Sequence, residues 1–246
     1  MRILVTGAAG FIGSNYVRRL LGPVPGAARP RRVTVLDKLT YAGNRANLAP
    51  VQDDPAFSFV RGDVTDAALV HDLVAAHDAV VHFAAESHVD RSIQASQEFV
   101  VSNVLGTQTL LDAALHRGAR PFVHVSTDEV YGSVRSGACA EDAALRPSSP
   151  YSASKAAADL LALSYHRTHG MDVRILRSCN GYGPTSTRRN WSPWRSPGCS
   201  TGAGCRCTGT AGMCGSGCTW TICATPCTGC SWPAAPGAST TSAARR

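Results

Sequence analysis

After Pro184 the chain contains no Asp, Glu, Lys or His and no Leu, Val, Phe or Tyr. Ile222 is the single branched aliphatic residue between Thr185 and Arg246. A segment so poor in large apolar side chains cannot bury enough area to offset the entropy of ordering it. The same segment holds 8 of the 10 Cys, all 4 Trp and 6 of the 24 basic residues. Its net charge is +6, whereas residues 1–184 carry all 17 acidic groups and a net charge of only +1. The overall +7 therefore says nothing about partners of the body of the protein. No stretch approaches the roughly 18–20 apolar residues of a membrane span. Met1 leads straight into a β-branched run, without the basic start, apolar stretch and cleavage site of a secretory leader. A cytoplasmic location is the expectation.

Residues 1–184 alternate strand-like and helix-like segments. Strand patterns occur at 2–6, 33–36, 57–60, 79–84, 122–126 and 173–176. Between them, apolar residues at helical spacing predict helices at 11–21, 67–76, 97–116 and 152–168. This order predicts an α/β fold, a doubly wound, Rossmann-like parallel sheet with ligands at the carboxyl ends of its strands.

The turn after the first strand, Gly7-Ala8-Ala9-Gly10-Phe11-Ile12-Gly13, leads into the first helix. Glycines there allow a tight turn and close approach of a pyrophosphate, which the free N–H groups of the helix N-terminus would bind. Asp37 ends the second strand, where a carboxylate accepts from ribose hydroxyls and repels a 2′-phosphate, favouring NAD over NADP. The plainer role for Asp37 is a turn cap. Asp63, after the third strand, is expected at the adenine edge.

Tyr151-Ser152-Ala153-Ser154-Lys155 puts Tyr and Lys on one helix face. An ammonium there is expected to lower the phenol's pKa, so that the phenol serves as general base on a sugar hydroxyl during hydride transfer. Thr127-Asp128-Glu129 follows the fifth strand. Two adjacent carboxyls suit elimination of water beside a newly formed ketone, one removing a proton and the other, protonated, donating to the departing hydroxyl. These residues alone leave open which carboxyl plays which part. Thr127 is expected to orient the sugar oxygen.

The strings VTGAAGFIGS, LDKLTYAGN, GDV, HFAAESHVDRSI, VSTDEVYG, YSASK and RSCNGYGP resemble the dTDP-glucose 4,6-dehydratases, which are extended short-chain dehydrogenase/reductases. The resemblance runs nearly unbroken from Met1 to Pro184. It implies NAD as cofactor, dTDP-glucose as substrate, and dehydration across C5 and C6 by way of a C4 ketone. Tyr151 would take the C4 hydroxyl proton, with Lys155 supporting it and holding the nicotinamide ribose. Glu129 would be the base at C5, Asp128 the acid at C6, and Thr127 the group that positions O4. Cofactor contacts would come from Gly7, Gly10, Phe11, Ile12, Gly13, Asp37, Lys38, Leu39, Thr40, Asp63 and Val64, from Phe83, Ala84, Ala85, Glu86 and Ser87, and from Ser102. Ser87 and Asn180 would touch substrate. The family also suggests a homodimer. Two residues depart from its pattern: Ala8 replaces a turn glycine, and Gly181 replaces an Asn beside the cofactor.

Beyond Pro184 the resemblance ends. The family continues near HQHPEKLVPL, where this chain has TSTRRNWSPW (185–194). Back-translated as ACC AGC ACC CGG AGA AAC TGG TCC CCC TGG and read one base earlier behind a single C, those bases encode HQHPEKLVPL. MCGSGCTWTI (213–222) gives NVREWVHVDD in the same phase. A change of reading frame near Pro184 accounts for both, and for the abundance of Cys and Trp. Residues 185–246 are thus expected to be a disordered, low-complexity tail standing where a smaller substrate domain belongs. The rival reading, a zinc site from Cys214, Cys218, Cys223, Cys227 and Cys230, has one CxxC, no second CxxC and no His, so no metal is expected. Scattered arginines without a patch give no nucleic-acid site. Three readings follow for the body: the dehydratase, a related epimerase or decarboxylase of sugar nucleotides that needs Tyr and Lys but not the acid pair, and a remnant that only binds the dinucleotide.

Overall fold

The computed structural model describes residues 1–23, 28–134, 139–182 and 218–219. Apart from the two residues 218–219, everything expected of the tail lies outside the described residues, including the frame change, the disorder and the side chains of its cysteines.

Six strands, β1 (Arg2–Thr6), β2 (Arg32–Asp37), β3 (Phe57–Arg61), β4 (Ala79–His82), β5 (Phe122–Thr127) and β6 (Val173–Ser178), form one parallel sheet. Their order is β3-β2-β1-β4-β5-β6, the doubly wound arrangement that the alternation predicts. Because every pairing is parallel, all the carboxyl ends lie at one edge, and the chain crosses between halves of the sheet at β1 and β4. Polar residues close several strands (Asp37, Thr127, Ser178), and the ladder carries through them. The sequence pattern stops each of these strands one or two residues early. Conversely β4 ends at His82, not at residue 84.

The sheet is covered on both faces. Leu4, Leu36, Val80 and Phe122 pack with Val70 and Val74 of α2 (Ala67–Ala75) and with Leu110 and Leu111. On the other face, Val5, Val33, Val35 and Val81 pack with Val17 and Leu21 of α1 (Phe11–Leu21). Each fully buried side chain of this size contributes about 1.5–3 kcal/mol.

The helix expected at 97–116 is three segments: α3 (Val89–Gln94) precedes it, α4 (Ser96–Phe99) starts it, and a π-helical stretch, Val100–Leu105, leads into α5 (Gly106–Arg117). Apolar spacing reads 3.6 residues per turn and is blind to an inserted π turn, which turns Asn103 inward. The helix carrying Tyr151 and Lys155, α6 (Pro150–His169), has a reciprocal Ser149–Ser152 capping box, Pro150 in its first turn and left-handed Gly170 after its end. Its start is thereby fixed, and Tyr151 falls in the first turn. A two-residue strand β7 (Gly181–Tyr182) lies parallel to β8 (Cys218–Thr219). No described helix is long and apolar enough to cross a membrane.

Two histidines sit fully buried on central strands. His82 joins Thr6 at 2.7 Å and Thr107 at 3.0 Å. Burial first, and then the Lys155 charge, pulls its pKa down to about 3, and the same two causes drive His124 well below its ordinary range. Both imidazoles are therefore neutral in the fold and titrate near 6.5 once it opens. The unfolded chain takes up protons first as pH falls, so stability present above pH 6.5 is lost on the way down. Between 6.5 and 5 the His82 contribution drops by about 2 kcal/mol. Urea unfolding at about pH 7.5 and at about pH 5 should show a clearly lower midpoint in acid. Equal midpoints would contradict the neutral buried pair.

Candidate active site

The Gly-rich turn is shaped by backbone approaching backbone. Gly7 has φ +70°, and a Cβ there would lie 2.4 Å from the Ala84 nitrogen. At Gly13 a Cβ would meet Ala8 Cα and Gly7 O, each at 2.7 Å. The substituted Ala8 itself is completely buried. Gly10 caps α1 without a side-chain bond, so the first-turn N–H groups of Phe11, Ile12 and Gly13 present the positive end of the helix dipole. This turn fits the pyrophosphate of a dinucleotide.

Asp37, 8% exposed, closes the next loop. Its Oδ2 accepts the Ala9 N–H and its Oδ1 the Leu39 N–H, both at 2.8 Å. Burial pushes its pKa up and the two amides pull it back. The second amide holds Leu39 at φ 59°, a left-handed conformation that costs a leucine on the order of 1–3 kcal/mol. Cap and ribose acceptor are thus compatible roles, because each oxygen keeps a second lone pair for a hydroxyl. The Thr40 carbonyl accepts from the Gly43 N–H at 3.0 Å, keeping the loop tight. Asp63, expected at the adenine edge, forms an ion pair with Lys38 at 2.6 Å and accepts the Thr65 N–H at 3.1 Å. Burial acts to raise its pKa, but these bonds outweigh it and hold the carboxyl below its ordinary range. Val64 is buried beneath, packed toward Gly106 of α5.

The run after β4 is anchored at both ends. The N–H groups of Phe83 and Ala84 donate to Thr6, at 3.0 and 3.4 Å, while Ala85 is half-buried. Glu86 is gripped by Asn103, which accepts its N–H at 2.8 Å and donates to its carbonyl at 3.0 Å. Asn103 also donates to Ser154 at 2.8 Å, linking this run to α6. Ser102, one residue earlier in the π-helical stretch, is half-buried. Ser87 and Asn180, expected to touch substrate, are exposed on the connections leaving β4 and β6.

At the end of β5, Thr127 caps a 3-10 turn, Asp128–Tyr131. Its hydroxyl accepts the Glu129 N–H at 3.2 Å and lies 3.3 Å from Asp128 Oδ1. It also acts to lower the pKa of the Tyr151 phenol, which feels the negative charges of Glu129 and Asp128. Phe99 stands edge-on to the Tyr151 ring, 6.3 Å between centroids. Lys155, 3% exposed, donates from Nζ to the Val125 carbonyl at 2.8 Å. The five residues of the expected acid–base set therefore meet where β5 ends and α6 begins.

The electrostatics correct one expectation. Lys155 does not lower the phenol's pKa in this structure. Burial pushes Tyr151 upward, as do Glu129, Asp128 and Asp159, and only the Thr127 hydrogen bond opposes them. The ammonium is turned to the Val125 carbonyl, and its own pKa falls to about 8 through burial, with Asp159 acting to raise it. Both carboxyls are raised by desolvation. Thr127 and backbone amides favour the anion of Asp128, whereas the charge of Asp128 further raises Glu129. The surroundings thus favour the anion on Asp128 more than on Glu129.

Four interior polar residues escaped the sequence reading: His82, Asn103, His124 and Asp159. No spacing signal marks them, because polar residues in apolar segments read as interruptions of a buried face. Among the described residues no group of His, Cys, Asp and Glu could hold a metal ion.

The family model for GDP-mannose 4,6 dehydratase matches residues 4–192 of the chain. A dTDP-glucose 4,6-dehydratase of Streptomyces antibioticus is 64% identical over 185 residues, which are 75% of this chain and 54% of that protein. The crystal structure of DesIV, a dTDP-glucose 4,6-dehydratase from Streptomyces venezuelae with NAD and TYD bound, is 59% identical with TM-score 0.73, over 75% of this chain and 57% of that one. The UDP-glucose 4-epimerase of Thermus thermophilus, in complex with NAD, is 35% identical with TM-score 0.67, over 77% of this chain and 60% of that one. The chain thus spans little more than half the length of the curated relatives it matches.

Replacing Gly7 by Ala tests the turn directly. Positive φ and the approach of Ala84 backbone combine, and Gly7→Ala should lower unfolding stability by about 1–3 kcal/mol in urea. A midpoint equal to that of the parent would show that the turn has room to spare.

Proposed function

This chain belongs to the GDP-mannose 4,6 dehydratase family, and we propose that residues 1–184 are the cofactor and acid–base part of a dTDP-glucose 4,6-dehydratase. The observation that carries this reading is the meeting of Thr127, Asp128 and Glu129 with Tyr151 and Lys155 at one sheet edge. The adjoining Gly-rich turn and Asp37 suit NAD. When bound, NAD supplies a hydride acceptor at the C4 stage and a hydride donor at the C6 stage.

The residues divide the work by proton affinity. Tyr151, once it has given up its own proton, takes that of the C4 hydroxyl as the ketone forms, and Thr127 donates a hydrogen bond to the same oxygen. The ketone acidifies the C5–H bond. Glu129 removes that proton while Asp128 delivers one to the C6 hydroxyl, which leaves as water. Glu129 then returns its proton to C5, Tyr151 releases the proton it took and Asp128 regains the one it gave, which restores the residues with no net redox change. The free structure favours the anion of Asp128 over that of Glu129, so these roles require the preference to reverse once the sugar enters. Lys155, bonded from Nζ to the Val125 carbonyl, holds the start of α6 and with it Tyr151 against the end of β5.

A homodimer in the cytoplasm fits this reading. Val101 and Leu105 of the π-helical stretch and Leu160 of α6 are exposed apolar side chains on neighbouring helices, a surface suited to a second copy. The tail is a separate proposal: residues 185–246 are read from a shifted frame, so the chain as written lacks the part that would hold the rest of the sugar nucleotide.

Sequencing the gene across the Pro184 codon and restoring the frame tests both statements. The restored protein should convert dTDP-glucose to its 4-keto-6-deoxy product, and the chain as written should not. In the restored protein Glu129→Gln should reduce dehydration at least about 100-fold. An epimerase would tolerate that change, and turnover by the unrestored chain would contradict the tail assignment.

A further inference from the structure

Asp159 lies one helical turn beyond Lys155 on α6 and is completely buried. Its Oδ2 accepts from Arg177 Nε of β6 at 2.7 Å. Arg177 continues to the Tyr131 hydroxyl at 2.6 Å and to the Glu141 carbonyl at 3.0 Å, with its guanidinium 5.0 Å from the Tyr131 ring centroid. Tyr131 ends the turn that carries Asp128 and Glu129. The other oxygen, Oδ1, is buried without a hydrogen-bond donor, 3.5 Å from His124 Nε2.

A buried carboxylate that spends one oxygen on an arginine and leaves the other bare is costly unless its charge is used. The groups facing Lys155 are Asp159 and Tyr151 on its own helix, His124 on β5 and His82 on β4, with Arg177 of β6 behind Asp159. Both histidines are neutral. Apart from the acid pair at the end of β5, the charges here are two cations and one anion, and Asp159 is the anion that acts on both.

We propose that Asp159 is a positioning residue of the active site, fixing the Asp128–Tyr131 turn through Arg177 and supplying the counter-charge for the Lys155 ammonium. One carboxylate thereby couples the placement of the acid pair to the charge state of the lysine. The inference rests on the dehydratase reading for its meaning but not for its test.

The full chain contains only two lysines, Lys38 and Lys155. Protein labelled with lysine carrying 13C at Cε therefore gives two side-chain signals, assigned by a Lys38→Arg variant, and their pH titrations report each amine with neither dinucleotide nor sugar present. In Asp159→Asn the Lys155 midpoint should fall by about one pH unit or more, with Lys38 unmoved. In Arg177→Met, which removes the second cation beside Asp159, the midpoint should rise. Opposite directions are the signature that loosened packing alone would not produce. Should Asp159→Asn fail to fold alone, it is made in the Arg177→Met background, where the ion pair is removed together and the Lys155 midpoint should still fall relative to Arg177→Met. A Lys155 midpoint unchanged in the folded variants, or moving the same way in both, would overturn the proposal. A protein without turnover leaves the titration readable, so failure of the dehydratase reading is distinguishable.

Discussion

The Lys155 ammonium, almost fully withdrawn from solvent, donates to the Val125 carbonyl two residues before β5 ends. An ammonium in that position must find an acceptor and a counter-charge inside the protein, and the backbone of β5 with Asp159 provides them. The bond ties the first turns of α6 to the carboxyl end of β5. Tyr151, one turn earlier, is thereby held beside Thr127 and the acid pair. Without that tie, the capping box at Ser149 would still start the helix, but nothing so specific would aim it at the strand end.

A similar economy governs the cofactor half. The Asp37 carboxylate gathers the N–H groups of Ala9 and Leu39, so the phosphate turn and the ribose loop move as one piece. Asn103 does the same for the run after β4, clasping both backbone groups of Glu86 while reaching Ser154 on α6. In each case one short polar side chain fixes a loop through main-chain atoms. Such loops are preorganised for a ligand, since little conformational entropy remains to be lost on binding.

The architecture was legible because its signals are periodic or punctuated. α1 falls on 11–21, bounded by Gly10 and Gly22, and the strand order follows from alternation of apolar strands with amphipathic helices. Tyr151, Lys155 and Asp37 stood out because their places relative to strand ends and helix turns carry meaning. Strand ends were misjudged where a polar residue continues the ladder, as at Thr127. The π-helical stretch and α3 were missed because a single inserted turn or a six-residue helix leaves no periodicity to detect. The phenol's electrostatics were misjudged because the lysine's direction depends on a carbonyl that no sequence pattern reveals. Asp159 and Asn103 were invisible for a related reason: their partners lie 18 and 51 residues away along the chain.

The proposed cofactor site is held in shape before any ligand arrives, and its Asp37 carboxylate disfavours a 2′-phosphate. Calorimetric titration of the full chain with NAD+ and, separately, with NADP+ tests it most directly. NAD+ should bind saturably at one site and NADP+ at least about tenfold more weakly, the effect of one unfavourable charge contact at Asp37. Equal affinity for the two, or no binding of NAD+ by folded protein, would contradict it.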